Sequence, residues 1–214
     1  MNKTIYICDK TLDFIKIYSN DWKKLNPEYT IELYDNQRCE EFLLTCFGKE
    51  HQAVFNKIPD GPIKADFWRI CIIYYYGGVY VDADCQPLVP LDDFLEKNVD
   101  LITCCSYHYK YNFNPNFIAS CSGNIFLKKC IDWYLNNKLR YSYWDWSIME
   151  VFNLLKLKNY NKQDNIYLSE EGLNVQVILE CSGNNHHDAH NIYKGVRVFN
   201  NRYINWNAGT HQFD

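Results

Sequence analysis

The feature that most constrains this chain is the order of its hydrophobic periods. Thr4 to Cys8 is a short β-branched and aromatic run ending at Asp9. Apolar residues then recur at helical spacing (Leu12, Ile15, Ile17, Trp22) until Asn26-Pro27 breaks the pattern. Thr30 to Tyr34 reads as a second strand closed by Asp35-Asn36, and Cys39 to Phe47 returns to a helical period. A half-apolar strand or helix must bury its apolar side against another element. An alternating start of this kind therefore predicts an α/β fold, an open sheet with helices packed on it.

Downstream, Asp60-Gly61-Pro62 is a helix start, because proline is tolerated in the first turn, where its missing N–H has no partner to lose. Gly77-Gly78 stops that helix where left-handed backbone is needed, and Val79 to Val81 reads as a short buried strand. The pattern predicts further strands at Leu101 to Cys104, Phe117 to Cys121 and Val196 to Phe199. It predicts helices at Asn124 to Leu135 and Tyr143 to Leu155, and a closing loop or tail from Asn200 to Asp214. With no internal repeat and no low-complexity linker, one domain over residues 1–214 is expected.

Composition narrows the function classes. With 47% hydrophobic and 22% charged residues, 214 residues suffice for one substantial core, which excludes disorder and fibres. A net charge of -4 without a Lys/Arg cluster argues against tracking a phosphate backbone, so nucleic acid is excluded as a partner. The longest apolar run, Ile70 to Val81, is short of the roughly 18–20 residues that span a bilayer. The amino terminus reaches Asp9 without an apolar signal core, so the expectation is a cytoplasmic protein with no membrane anchor. The ten cysteines form no C-x-x-C pair. Cys46, Cys71, Cys104, Cys105, Cys121 and Cys130 lie in apolar stretches and read as small buried hydrophobes rather than as disulfides or a zinc site.

The chemistry concentrates in Asp66-Phe67-Trp68-Arg69 and in Val81-Asp82-Ala83-Asp84 after the Gly77-Gly78 stop. Asp66 and Arg69, three apart in a helix that is apolar nearly all round, share a face. An internal salt bridge and a ligand contact are both open for them. Asp82 and Asp84, two apart at a strand end, are expected to point to one side, as two oxygen ligands of one hard cation require. The carboxyl end of a buried strand is where open α/β sheets bind ligands. Neither G-x-G-x-x-G nor a phosphate-cradling G-x-x-x-x-G-K occurs, so a diphosphate would need a divalent ion instead of backbone amides. That is the electrostatic requirement of transfer from a nucleotide sugar.

Asp66-x-x-Arg69 followed by Gly77-Gly78-x-Tyr80-x-Asp82-x-Asp84 resembles the signature of the DXD-containing sugar-binding glycosyltransferases, which include the fungal Golgi initiating mannosyltransferases and are related to the glucosylating clostridial toxins. Ile5 to Ile7, Trp22, Asn26-Pro27-Glu28-Tyr29 and Leu33-Tyr34-Asp35 extend the resemblance over about the first 95 residues, and it fades beyond Asp100. It implies a GT-A fold, retention of anomeric configuration, and a donor half over residues 1 to about 100 with an acceptor half after it. It implies that Asp66 and Arg69 bond donor-sugar hydroxyls, that Tyr80 packs at the ribose or sugar, and that Ile7, Asp9 and Ala83 join the nucleotide-sugar contacts. Mn2+ or Mg2+ would sit on Asp84 directly, on Asp82 directly or through water, and on a ligand near the carboxyl end, here His211. No Lys follows His211 and the relatives' Gly-Ser-Trp ending is missing, which leaves Trp206 as one candidate to close over the diphosphate.

Tyr141 to Trp146 places Asp145 among aromatic rings, either as an acceptor-binding or transition-state-stabilising acid or as a helix-start acid beside core tryptophans. Asn184 to His190 reads as a solvated loop, with acceptor contact as the alternative. The expected function is metal-dependent retaining transfer of a hexose or deoxyhexose from a UDP-linked donor to a glycan or glycoprotein hydroxyl. The alternative is a non-catalytic nucleotide-sugar or carbohydrate-binding module. A metal phosphohydrolase is disfavoured, because those enzymes carry Asp-x-Asp on the first strand. The chain is also similar to the amino-terminal domain of multidomain glycosyltransferases of large DNA viruses of algae, which implies further domains and a virus-infected host cell.

Overall fold

A computed structural model describes residues 1–106, 110–181 and 189–201 and the backbone of 206–207 and 212–213, without the side chains of Phe14 and Ile17. The expected alternation is present as β1 (Thr4–Cys8), α1 (Leu12–Leu25), β2 (Thr30–Tyr34) and α2 (Asn36–Phe47). An unforeseen α3 (Lys49–Lys57) precedes α4 (Gly61–Tyr76) and β3 (Gly78–Val81). After β4 (Cys85–Pro87) come β5 (Leu101–Ser106), β6 (Phe113–Ser120), α5 (Ile125–Asn136), α6 (Tyr143–Trp146) and α7 (Ile148–Val151). The chain continues through β7 (Asn165–Leu168), β8 (Asn174–Cys181), β9 (His190–Tyr193) and β10 (Val196–Asn201). In the expected tail, β11 (Trp206–Asn207) pairs antiparallel with β12 (Gln212–Phe213).

One mixed sheet has the order β2-β1-β3-β6-β5-β8-β9-β10-β4, with β7 also on β8. Its β2-β1-β3 part is parallel, β6 runs antiparallel between β3 and β5, and β8 pairs with β5 in parallel. This is the open mixed sheet with flanking helices that the GT-A expectation requires. β4 leaves β3 after only three residues yet pairs with β10 at the other end of the order, so the sheet curls back on itself. The Trp22 indole N–H donates to the Cys85 carbonyl (2.9 Å) and ties α1 to that returning strand.

Strand alternation sorts the core into two layers. Ile5, Ile7, Val79 and Val81 face the layer that holds Trp22 of α1, whereas Tyr6, Cys8 and Tyr80 face the layer built on α2, α4 and α5. Seven cysteines are buried, Cys71, Cys104, Cys105 and Cys130 as expected and Cys8, Cys39 and Cys85 besides, and all ten are free. The burial expectation fails at Cys46, which is half-buried, and at Cys121, which follows the end of β6 and is exposed.

Two other readings change. The helix expected from Tyr143 to Leu155 is broken at Ser147, whose extended backbone separates α6 from α7 and whose hydroxyl accepts from the Met149 N–H (3.2 Å); a 3-10 turn at Phe152–Leu154 follows. Serine is a better cap than a helix interior, and here it acts as one. The strand β8 was not legible because Val175, Gln176, Val177 and Ile178 are all buried, which erases the alternation. Gln176 is satisfied by the Phe94 carbonyl (2.7 Å) and the Glu96 N–H (2.9 Å).

The Gly77-Gly78 stop is needed sterically. Gly78 has φ of 110°, and a Cβ there would lie 2.7 Å from the Thr4 carbonyl oxygen. Gly78→Ala is expected to cost about 2–3 kcal/mol, read as a lowered urea midpoint at unchanged slope. A midpoint within error of the wild type would refute that close approach.

Candidate active site at the carboxyl edge of the sheet

The site grows from α4 and the end of β3. Asp66 and Arg69 are each only 6% exposed and are ion-paired at 3.0 Å, so the helix face expected from their spacing is real and lies inside the protein. Arg69 does not stop at Asp66. Its guanidinium also pairs with Asp82 (3.0 Å), donates to the Pro115 carbonyl (2.9 Å) and lies 4.5 Å from the centre of the Tyr80 ring. Tyr80 donates its hydroxyl to the same Asp82 oxygen (2.6 Å). The second oxygen of Asp66 accepts from the Ile148 N–H (2.9 Å), which the break at Ser147 leaves without a helical partner. One cation thus joins the helix to the strand end, with a carboxylate on either side.

The geometry of the acidic pair differs from the expectation. β3 ends at Val81, and Asp82-Ala83-Asp84 form a turn closed by the Cys85 N–H on the Asp82 carbonyl (3.0 Å). Strand alternation therefore places Asp82 on the Tyr80 side but does not extend to Asp84. Asp84 is 8% exposed, and no lysine or arginine among the described residues forms an ion pair with it. Burial first, and the Asp82 charge second, hold its carboxyl well above the usual carboxylate range. Asp9, at the end of β1, adds a third negative charge nearby, and its carboxyl is raised mainly by burial.

Two hard oxygen donors, one of them buried with no lysine or arginine partner among the described residues, fit a divalent cation. Among the described residues no group of three or more His, Cys, Asp or Glu is arranged to hold a metal, so Asp82 and Asp84 are the pair there that could hold one. His211 and the side chain of Trp206 lie outside the described residues, as does the 184–188 part of the histidine-rich run.

The remaining candidates are placed as follows. Ile7 and Ala83 put their side chains into the core, which leaves only their backbone for a nucleotide. Tyr80 is 1% exposed and reaches the site through Arg69 and Asp82. Asp145 is exposed on α6, three residues before the Asp66 contact at Ile148. The sequence reading missed the 114–116 segment of β6. There the Pro115 carbonyl takes Arg69 and the Asn116 carbonyl takes the Asp82 N–H (2.9 Å). Pro115 lies where the β5–β6 register shifts, and a proline inside a strand is a signal for such an irregularity.

Burial pushes the Asp66 carboxyl up to about 6, against the Arg69 charge and the Ile148 N–H, which pull it down. A carboxyl raised in the folded state stabilises the fold below its unfolded value of 3.8, and that contribution is lost as pH rises through about 6. The stability of the wild type relative to Asp66→Asn should therefore fall by on the order of 2–3 kcal/mol between pH 4 and pH 7. A pH-independent difference in denaturation free energy would refute it.

An acidic turn at the sheet's carboxyl edge is thus wired through a buried arginine to a helix carboxylate. Residues 14–100, about two fifths of the chain, match the family described as the glycosyltransferase sugar-binding region containing DXD motif. The matched region holds Asp66, Arg69, Tyr80, Asp82 and Asp84 and stops where the sequence resemblance fades. This family generally uses a divalent metal.

An initiation-specific alpha-1,6-mannosyltransferase of Candida albicans is 26% identical over 83 residues, 38% of this chain and 22% of that protein. An uncharacterized glycosyltransferase of Acanthamoeba polyphaga mimivirus is 33% identical over 81 residues, 38% of this chain and 32% of that one. The chain thus aligns with between about a fifth and a third of the length of these relatives. Among solved structures, the PaToxG glycosyltransferase is similar over 72% of this chain and 67% of its own, with a TM-score of 0.48 and 18% identity. A glycosyltransferase involved in glycosylation of the major capsid of PBCV-1 is similar over 67% of this chain and 71% of its own, with a TM-score of 0.39 and 14% identity.

Proposed function

We propose that this chain carries the catalytic centre of a metal-dependent, retaining glycosyltransferase. It would move a hexose or deoxyhexose from a nucleotide diphosphate sugar, UDP-linked in our reading, to a hydroxyl of a glycan or glycoprotein. The observation that carries the reading is the chain Asp66–Arg69–Asp82 ending beside the buried Asp84, which has no lysine or arginine ion pair among the described residues.

Asp82 and Asp84 would hold Mn2+ or Mg2+, with His211 as the candidate further ligand. When bound, the ion supplies positive charge that stabilises the departing diphosphate. Arg69 is held on four sides and cannot turn freely, so Asp66 and Arg69 would present fixed acceptor and donor atoms to sugar hydroxyls. The acceptor oxygen bonds to the anomeric carbon, the bond from that carbon to the diphosphate oxygen breaks, and the acceptor proton passes to the leaving diphosphate. Retention requires attack from the face the diphosphate leaves, and it rests on the family resemblance. Residues 1 to about 100 would serve the donor and the metal, and the remainder the acceptor, with Asp145 as a candidate acid on that side.

Calorimetric titration with a panel of UDP- and GDP-sugars, with and without Mn2+, tests this. Binding of one donor only when Mn2+ is present is the expected result. A folded protein that binds none of them would overturn the reading.

A further inference from the structure

We propose that the exposed indole of Trp144 is a stacking platform for a pyranose ring of the acceptor, an inference that rests on the transferase reading above. In the segment from Tyr141 to Ile148 the two tryptophans are treated oppositely. Trp146 is 1% exposed, and its carbonyl accepts from the Tyr134 hydroxyl (2.8 Å). Trp144, two residues earlier on the same short helix α6, is 38% exposed.

The exposed indole is nevertheless held in place. The buried Tyr111 ring lies nearly parallel to it (24°, centroids 6.3 Å apart), and Tyr143 meets it edge-on (78°, 5.1 Å). A large apolar ring fixed before a ligand arrives binds with little ordering cost. Charged groups lie on its neighbours. Lys110 sits 4.7 Å from the centre of the Tyr111 ring and feels the charges of Asp145 and Glu150, both exposed. A flat apolar face next in sequence to an exposed carboxylate, Asp145, suits a pyranose, which offers an apolar C–H face and hydroxyls round its edge.

Position decides between acceptor and donor. The same segment gives its Ile148 N–H to Asp66, and the Tyr143 hydroxyl feels the charges of Asp66 and Arg69. The segment that carries the platform therefore borders the Asp66–Arg69 pair, and it follows the matched region rather than lying within it. A saccharide stacked there would offer a hydroxyl toward the Asp66–Arg69 pair.

Saturation-transfer NMR with gluco-, manno- and galacto-oligosaccharides tests the platform on the whole chain. At least one series should bind the wild type. Its affinity should fall about tenfold or more in Trp144→Ala, the loss of one stacking contact together with its buried area. Trp144→Phe should recover part of it, and uridine should not displace the saccharide. Equal affinity in Trp144→Ala, no binding by any oligosaccharide, or displacement by uridine would each overturn the proposal, the last by making the indole a seat for the donor base. Trp144 is exposed, so Trp144→Ala should keep its far-UV circular dichroism and its melting temperature. Trp144→Phe decides the matter if it does not. Failure of the transferase reading is seen separately, as absent metal-dependent donor binding in the wild type.

Discussion

Asp84→Asn is expected to abolish Mn2+-dependent donor binding and to lower transfer by at least about a hundredfold, while the protein stays folded with an unchanged or raised melting temperature. The two halves of that expectation have one cause. Asp84 is buried beside Asp82 with no cationic side chain paired to it among the described residues, so without metal its charge is a burden on the fold. Asparagine keeps the shape and removes the charge. Thermal melts with and without Mn2+ separate the outcomes, since the wild type should be stabilised by the ion and the variant should not. Near-normal transfer by Asp84→Asn would remove the acidic turn from the mechanism.

Arg69→Ala should have the opposite signature, a loss of about 3–5 kcal/mol of stability whether or not metal is present. Its guanidinium is the counter-charge to two carboxylates, Asp66 and Asp82, and also the donor to the Pro115 carbonyl. Removing it leaves buried negative charge uncompensated and one carbonyl without its donor. Arg69→Lys should rescue only part of the loss, because one ammonium cannot span carboxylates on two different elements while lying flat on Tyr80. Urea denaturation measures both variants. A loss under about 1 kcal/mol for Arg69→Ala would mean that the cation is solvated rather than built in.

The legible parts of this protein were those whose physics is local. The alternation in Thr4 to Cys8, the helical period after it and the proline-to-glycine limits of α4 each belong to a single segment, and all three appear in the structure. The Asp66–Arg69 spacing was equally local and produced a real ion pair. The orientation of Asp84 was not local in this sense, because it depended on β3 ending at Val81 instead of running on. β8 was hidden for a different reason: a strand buried on both faces has no alternation to read. The helix expected after Tyr143 failed where one serine capped instead of continuing, and that break is what frees the Ile148 N–H for Asp66.

By itself, the sequence determined the α/β class, the buried helix with its acid and base, and the acidic pair after a glycine stop. These follow from periodicity, backbone permission and side-chain chemistry within single segments. Only the tertiary structure decided that Arg69 reaches across to Asp82, that the Pro115 carbonyl and the Ile148 N–H complete the pair, and that Trp144 faces outward while Trp146 faces in. Those contacts join residues between 13 and 82 positions apart (Arg69 to Asp82, Asp66 to Ile148). They exist only because the curled sheet and the helix packing bring distant segments to one edge, a choice that no local pattern encodes.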